Sequence, residues 1–196
     1  MKRRSALSTA PALLVAGALV GLAAPGRTAN EARASDPSES IGEIVFECYS
    51  INFAWGHRHS GYYVDRHGGV HRYDRSGDLW LPESVQRGDA LTPEADLLEK
   101  FKTAERYREV SPQLLNEKIR LLGRAAHGRI TSEHEMADAG GHGCVGYLYD
   151  SEKALYRSIP LGSGGDIRVT NSAPEARKLK EWLEELRPPR PTAPPS

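Results

Sequence analysis

The sequence predicts an α+β fold, an antiparallel sheet of about five strands in two hairpin or meander units, packed against three helices and tied by one disulfide. Three observations carry this expectation. Residues 43–50 alternate with period two, 61–65, 70–74, 144–150 and 154–160 are short strand-like runs, and apolar residues recur with helical period after Thr92-Pro93, after Ser111-Pro112 and in 174–186. The strands come in groups rather than alternating singly with helices, which is the pattern of an antiparallel sheet covered on one face. Two cysteines, Cys48 and Cys144, fall in the first and fourth of the strand-like runs.

Residues 1–34 precede this domain. Lys2, Arg3 and Arg4 form a basic head, 5–26 carry no charge, and Ala32-Arg33-Ala34 offers a small-x-small cleavage site. Together they read as a cleaved export signal, with the mature chain starting near Ser35. Pro11, Gly17 and Gly21 interrupt the uncharged run, so no stable membrane insertion is expected after cleavage. The single exported domain then spans 35–187. Five prolines in the nine residues 188–196 predict a disordered tail.

In 43–50 (EIVFECYS), Ile44, Phe46 and Cys48 alternate with Val45, Glu47 and Tyr49, a strand signature. Two short runs, 61–65 and 70–74, flank Arg66-His67-Gly68-Gly69, whose glycines suit a hairpin turn. Asp-Arg-x-Gly recurs at 65–68 and 74–77, so the chain turns twice and a meander reaches Trp80. Thr92-Pro93 reads as a cap and first-turn proline for a helix bearing Leu97, Leu98, Phe101, Ala104 and Arg108. Ser111-Pro112 repeats the signal for Leu115, Ile119, Leu122 and Ala126, ended by Gly128, so two helices joined by a tight turn are expected. Residues 129–143 read as a polar, then glycine-rich loop. A second hairpin turns at Ser151-Glu152-Lys153, and Gly162-Ser163-Gly164-Gly165-Asp166 reads as a flexible turn. Ser172-Ala173-Pro174-Glu175 has the form of a capping box for a helix with Ala176, Leu179, Trp182, Leu183 and Leu186 on one face.

The run from Val70 to Trp80 (VHRYDRSGDLW) resembles one hairpin of the tyrosine–aspartate repeats of large secreted shell proteins, in which Tyr-Asp-x-x-Gly precedes a Leu. The matching residues are Tyr73, Asp74, Gly77 and Leu79. The resemblance covers eleven residues, implies a β-hairpin and transfers no function.

The leader holds five basic residues and one acid, leaving 21 basic and 25 acidic residues after it. A mildly acidic chain lacks the dominant basic face of a nucleic-acid binder, so no nucleic-acid partner is expected. Two thiols delivered to an oxidising compartment are expected to pair as Cys48–Cys144. Cys144 as a nucleophile beside His142 would need a base aimed at it, which a spacing of two residues does not supply.

Chemistry-bearing residues concentrate in 46–80, which hold eight of the 14 aromatic residues. His57, His59, His67 and His71 interleave there with Arg58, Arg66, Arg72 and Arg75 against Asp65 and Asp74. An extended 57–59 points His57 and His59 the same way, and a hairpin could bring His71 beside them as a zinc or copper site. The alternative use of the cluster is recognition, with Trp55, His57, His59, Tyr63, His71, Tyr73 and Trp80 as candidate binding residues. His134-Glu135-Met136-Ala137-Asp138 begins like a zinc-protease helix but has Asp where the second His is required. No catalytic or cofactor motif is complete, which weighs against an enzyme and against a resident cofactor. The expected function is therefore an exported bacterial-type binding, inhibitor-like or accessory protein acting through the meander. Its partner would be a protein or glycan in the periplasm, the envelope or outside the cell. Two other readings are a metal-dependent hydrolase built on the 57–71 histidines, with His134 or His142, and a structural envelope protein with no small-molecule site.

Overall fold

The computed structural model describes residues 41–52, 54, 56–77, 90–135 and 140–189. All of them fall in the compact unit Ser35–Ser196. Residues 1–34, expected as an export leader, Trp55, the expected end of the meander with Leu79 and Trp80, and the tail beyond 189 lie outside the described residues.

In chain order the elements are β1 (Ile44–Asn52), β2 (Arg58–Asp65), β3 (Gly69–Asp74), β4 (Leu91–Pro93), α1 (Glu94–Phe101), β5 (Glu105–Glu109), α2 (Pro112–Ala125), β6 (Ile130–His134), β7 (Gly141–Asp150), β8 (Leu155–Gly165), β9 (Ile167–Asn171) and α3 (Pro174–Glu185). The strands form one antiparallel sheet in the order β5-β3-β2-β1-β7-β8-β9-β6, with β4 attached to β8. The α+β class, the three helices and the disulfide match expectation. Among the described residues the sheet has nine strands rather than about five.

Each additional strand has a local reason. The helical stripe expected to continue through Ala104 and Arg108 stops at Phe101, because the next segment offers only Tyr107 as a large apolar side chain. Its backbone instead satisfies the open edge of β3, pairing Arg72 with Glu105 and Gly69 with Glu109. Thr92 is not a helix cap but lies in β4 opposite Tyr156, and Pro93 stands at the N-cap without a side-chain bond. Residues 130–134, expected as loop, form β6 and pair with 167–171 of β9, where the hydroxyls of Thr131 and Thr170 meet at 2.7 Å. The glycine-rich 162–165 segment is the end of β8, close against β7: a Cβ on Gly143 would lie 2.6 Å from that of Ser163. The capping box is not formed either. Ala173 is the N-cap of α3, and the Ser172 hydroxyl accepts from the Arg129 N–H instead.

The register assigns residues to the two faces of the sheet. Phe46, Cys48, Tyr62, Val64, Val70, Ile159 and Leu161 pack with Leu115 and Leu122 of α2 and Leu179, Trp182 and Leu183 of α3. Phe46 meets Trp182 edge-on at 5.4 Å. On the opposite face Ile44, Tyr73, Tyr147 and Tyr156 pack with Leu97 and Phe101 of α1. Helices therefore cover both faces, not the single face expected. An irregularity in β1 between Ile44 and Phe46 explains why these two residues, one strand period apart, enter different cores.

Cys48 and Cys144 stand directly opposite on β1 and β7 and are joined as a disulfide, with Cα atoms 4.1 Å apart. That spacing belongs to the closely approaching, non-hydrogen-bonded class of antiparallel pair. At the far end of the first core, α3 has no basic residue in its last turn. Its terminal carbonyls receive donors from the sheet: Tyr62 donates to Leu183 O at 2.5 Å, Tyr107 to Leu186 O at 2.6 Å and Arg108 to Glu185 O at 2.9 Å.

Candidate functional site

The 57–71 segment folds as anticipated into strands on either side of a turn, but its side chains divide between an enclosed network and an exposed tip. The enclosed part lies on the α1 face. The centre is Glu47, only 1% exposed. Tyr73 donates to its Oε1, Tyr147 donates to its Oε2 at 2.5 Å, and the Lys100 ammonium of α1 lies 2.5 Å from Oε1. Gly61 makes this possible: a Cβ there would fall 2.2 Å from Cys48 O and 2.8 Å from the Tyr73 hydroxyl. Burial alone would raise the Glu47 carboxyl. The charge of Lys100 and the hydrogen bonds from Lys100, Tyr147 and Tyr73 together outweigh it and hold the carboxyl below its usual value. Burial, then the Glu47 charge, pushes both phenols well up.

His59 lies beside this network, 2% exposed, its ring edge-on to Tyr73 at 5.7 Å. Neither ring nitrogen has a hydrogen-bond partner. Burial first, then the nearby Lys100 charge, lowers its pKa to about 4. The unfolded chain, with a histidine near 6.5, therefore binds more protons than the native one between these values. The stability gained by keeping His59 neutral is complete above pH 6.5 and is lost as the pH falls to about 4, a decrease of about 3 kcal/mol. Urea titrations at pH 7 and pH 4 check this. The wild type is expected to lose about 3 kcal/mol more than His59→Phe over that interval, and equal losses would refute the assignment.

The exposed part is the turn between β2 and β3. Asp65 Oδ1 accepts from the N–H groups of His67 and Gly69, both at 2.8 Å. Its Oδ2 lies 2.7 Å from His71 Nε2. Gly68, at φ 89°, donates to Asp65 O, while Val110 N–H donates back to Gly68 O at 2.8 Å. Arg66 N–H reaches Glu43 O at 3.0 Å. Gly69 has no room for a side chain, since a Cβ would lie 2.4 Å from Asp65 Oδ2 and 2.7 Å from His71 Nε2. The His71 ring stacks on Tyr63 at 4.7 Å and 8°, and Tyr63 in turn contacts Phe101 at 4.4 Å. Arg66 and His67 are exposed at this tip, where Arg66 Nε donates to His67 Nε2 at 3.2 Å and lies 3.6 Å from Glu43 Oε2. The following turn, at the second Asp-Arg-x-Gly, is also formed: Asp74 Oδ1 accepts from Ser76 N–H, and Gly77 has φ 81°.

Among the described candidates, His59, Tyr73, Tyr63 and His71 are linked by ring contacts through Phe101 on the α1 face, Tyr73 lying 5.0 Å from that ring. His59 and Tyr73 are buried under α1, Tyr63 and His71 are half-buried, and His57 lies just before β2. Trp55 and Trp80 lie outside the described residues. Among the described residues, no group of three or more His, Cys, Asp or Glu side chains is placed to hold a metal ion. His134 sits at the end of β6 opposite Ile167, and His142 is exposed on β7. Glu47, Lys100 and Tyr147 were not anticipated. The signal was present in Glu47, a formal charge at the centre of the apolar run EIVFECYS, which is sustainable only with a buried partner.

No family model matches the chain, and neither a curated protein nor a solved structure is significantly similar to it. Among the described residues, no helix is long and apolar enough to cross a membrane.

Proposed function

We propose that the chain is an exported, non-catalytic binding module of inhibitor-like character that presents the Arg66–His67 tip to an acidic recess on a protein partner. The observation that carries this reading is the way the tip is held. Two cationic or ionisable side chains project from a turn whose backbone is fixed by Asp65, His71, Glu43 and Val110. A recognition loop already rigid in its binding shape loses little conformational freedom on docking, which is how small inhibitors reach useful affinity from few contacts. The enclosed Glu47 network supports the same reading, since it anchors the sheet beneath the meander rather than opening to a substrate. The disulfide is compatible with an oxidising destination.

A photo-crosslinking residue placed at His67 in the native host tests the proposal. One protein adduct is expected, reduced about tenfold or more by Arg66→Glu without loss of the thermal transition. Absence of an adduct, an adduct indifferent to Arg66→Glu, or binding to glycans alone would overturn the protein-partner reading. Recovery of the chain from the cytoplasm with residues 1–34 still attached would overturn export.

A further inference from the structure

The two edges of the sheet are built differently. β5 closes one edge with Glu105, Arg106, Arg108 and Glu109 around Tyr107, and both Tyr107 and Arg108 are tied to the end of α3. Four charges in five residues are the usual defence of an edge strand against pairing with another chain. β6 closes the other edge with Ile-Thr-Ser-Glu-His, carrying one formal charge. All five of its residues are exposed, and its outer side has no strand partner among the described residues. Ile130 is 43% exposed and Ile167, on β9, is 52% exposed. The register of β6 on β9 places Ile130, Ser132, His134, Val169 and Ile167 on one face, with Thr131, Glu133, Arg168 and Thr170 on the other.

We propose that β6 is a dimer interface: two copies of this chain pair their β6 strands antiparallel about a two-fold axis at Ser132, making one continuous sheet. The sequence of β6 is self-complementary in that register. Ser132 faces Ser132 of the second copy. Ile130 faces the second copy's His134, which already neighbours Ile167 on its own β9, so an Ile130–His134–Ile167 row crosses the seam on each side of the axis. On the other face Glu133 stands opposite Thr131 of the second copy, and no like charges are directly opposed. Moving the two-fold axis to position 133 would place Glu133 opposite its own counterpart, and a one-residue slip would set Ile130 beside the second copy's polar face. The charged β5 edge disfavours pairing β6 of one copy with β5 of the next, so association closes at two rather than growing into a filament.

Sedimentation velocity of the intact protein, from micromolar to several hundred micromolar, tests this directly. A monomer–dimer equilibrium is expected, with Ile130→Lys and Ile167→Lys each weakening it about tenfold or more while circular dichroism is unchanged. Ser132→Cys is expected to form an intermolecular disulfide on air oxidation, whereas Ser111→Cys, exposed before α2, is not. A monomer throughout the range, a dimer insensitive to both lysine substitutions, or equal crosslinking from positions 111 and 132 would overturn the proposal.

Discussion

Lys100→Met is expected to destabilise the protein by about 3–5 kcal/mol, measured by urea unfolding at pH 7. Glu47 and Lys100 are 1% and 7% exposed at their side chains and 2.5 Å apart, so water cannot take over from a missing partner. Removing the ammonium leaves a carboxylate in the apolar space between β1 and α1 with two phenolic donors and no counter-charge. The carboxyl then takes up a proton more readily, so the loss is expected to shrink as the pH is lowered. The double substitution Glu47→Gln with Lys100→Met removes both charges, leaves the amide for Tyr73 and Tyr147, and is expected to recover most of the loss. A single variant within about 1 kcal/mol of wild type would show that the pair is not enclosed as described.

Removing the disulfide by Cys48→Ala with Cys144→Ala is expected to cost about 4 kcal/mol. The bridge closes a loop of sequence separation 96. It also joins the two strands at the middle of the sheet, β1 and β7, where every other strand is attached directly or through a neighbour. The unfolded chain gains most of the freedom, so the denaturant slope of the variant should rise along with the fall in midpoint. A titration finding two free thiols in the unfolded wild-type protein, or a double variant as stable as wild type, would contradict this role.

The strands with an apolar face were legible from alternation in 43–50 and from short aromatic and β-branched runs between turn residues elsewhere: 43–50, 61–65, 70–74, 144–150 and 154–160 all lie within or across observed strands. The strands that escaped, β4, β5, β6 and β9, are short, polar or at an edge. They exist because a neighbouring strand left backbone groups to be paired, and such a cause leaves no periodicity in the segment itself. Residues 105–109 illustrate the point, since Ala104 and Arg108 fit a helical stripe begun by Leu97 and Phe101 as well as they fit a strand. The histidine and aromatic density at 57–73 correctly marked a crowded region. Period two sent His59, Tyr63 and Tyr73 to the α1 face, while Arg66 and His67 went to the turn. Which of these faces α1 would seal depended on a helix distant in sequence, and so did the pairing of Glu47 with Lys100.

The closure of α3 by the sheet has a kinetic meaning. Its last carbonyls are met by side chains that lie 121, 79 and 77 residues earlier in the chain. Donors so remote can be in place only after β2, β3 and β5 have assembled, since β5 is held by β3 and β3 by β2. A segment of this length has little helicity alone in water. Closure of the last turn of α3 is therefore expected to follow assembly of the β5 edge, nearly eighty residues upstream, and exchange protection there would report whether that edge is still intact.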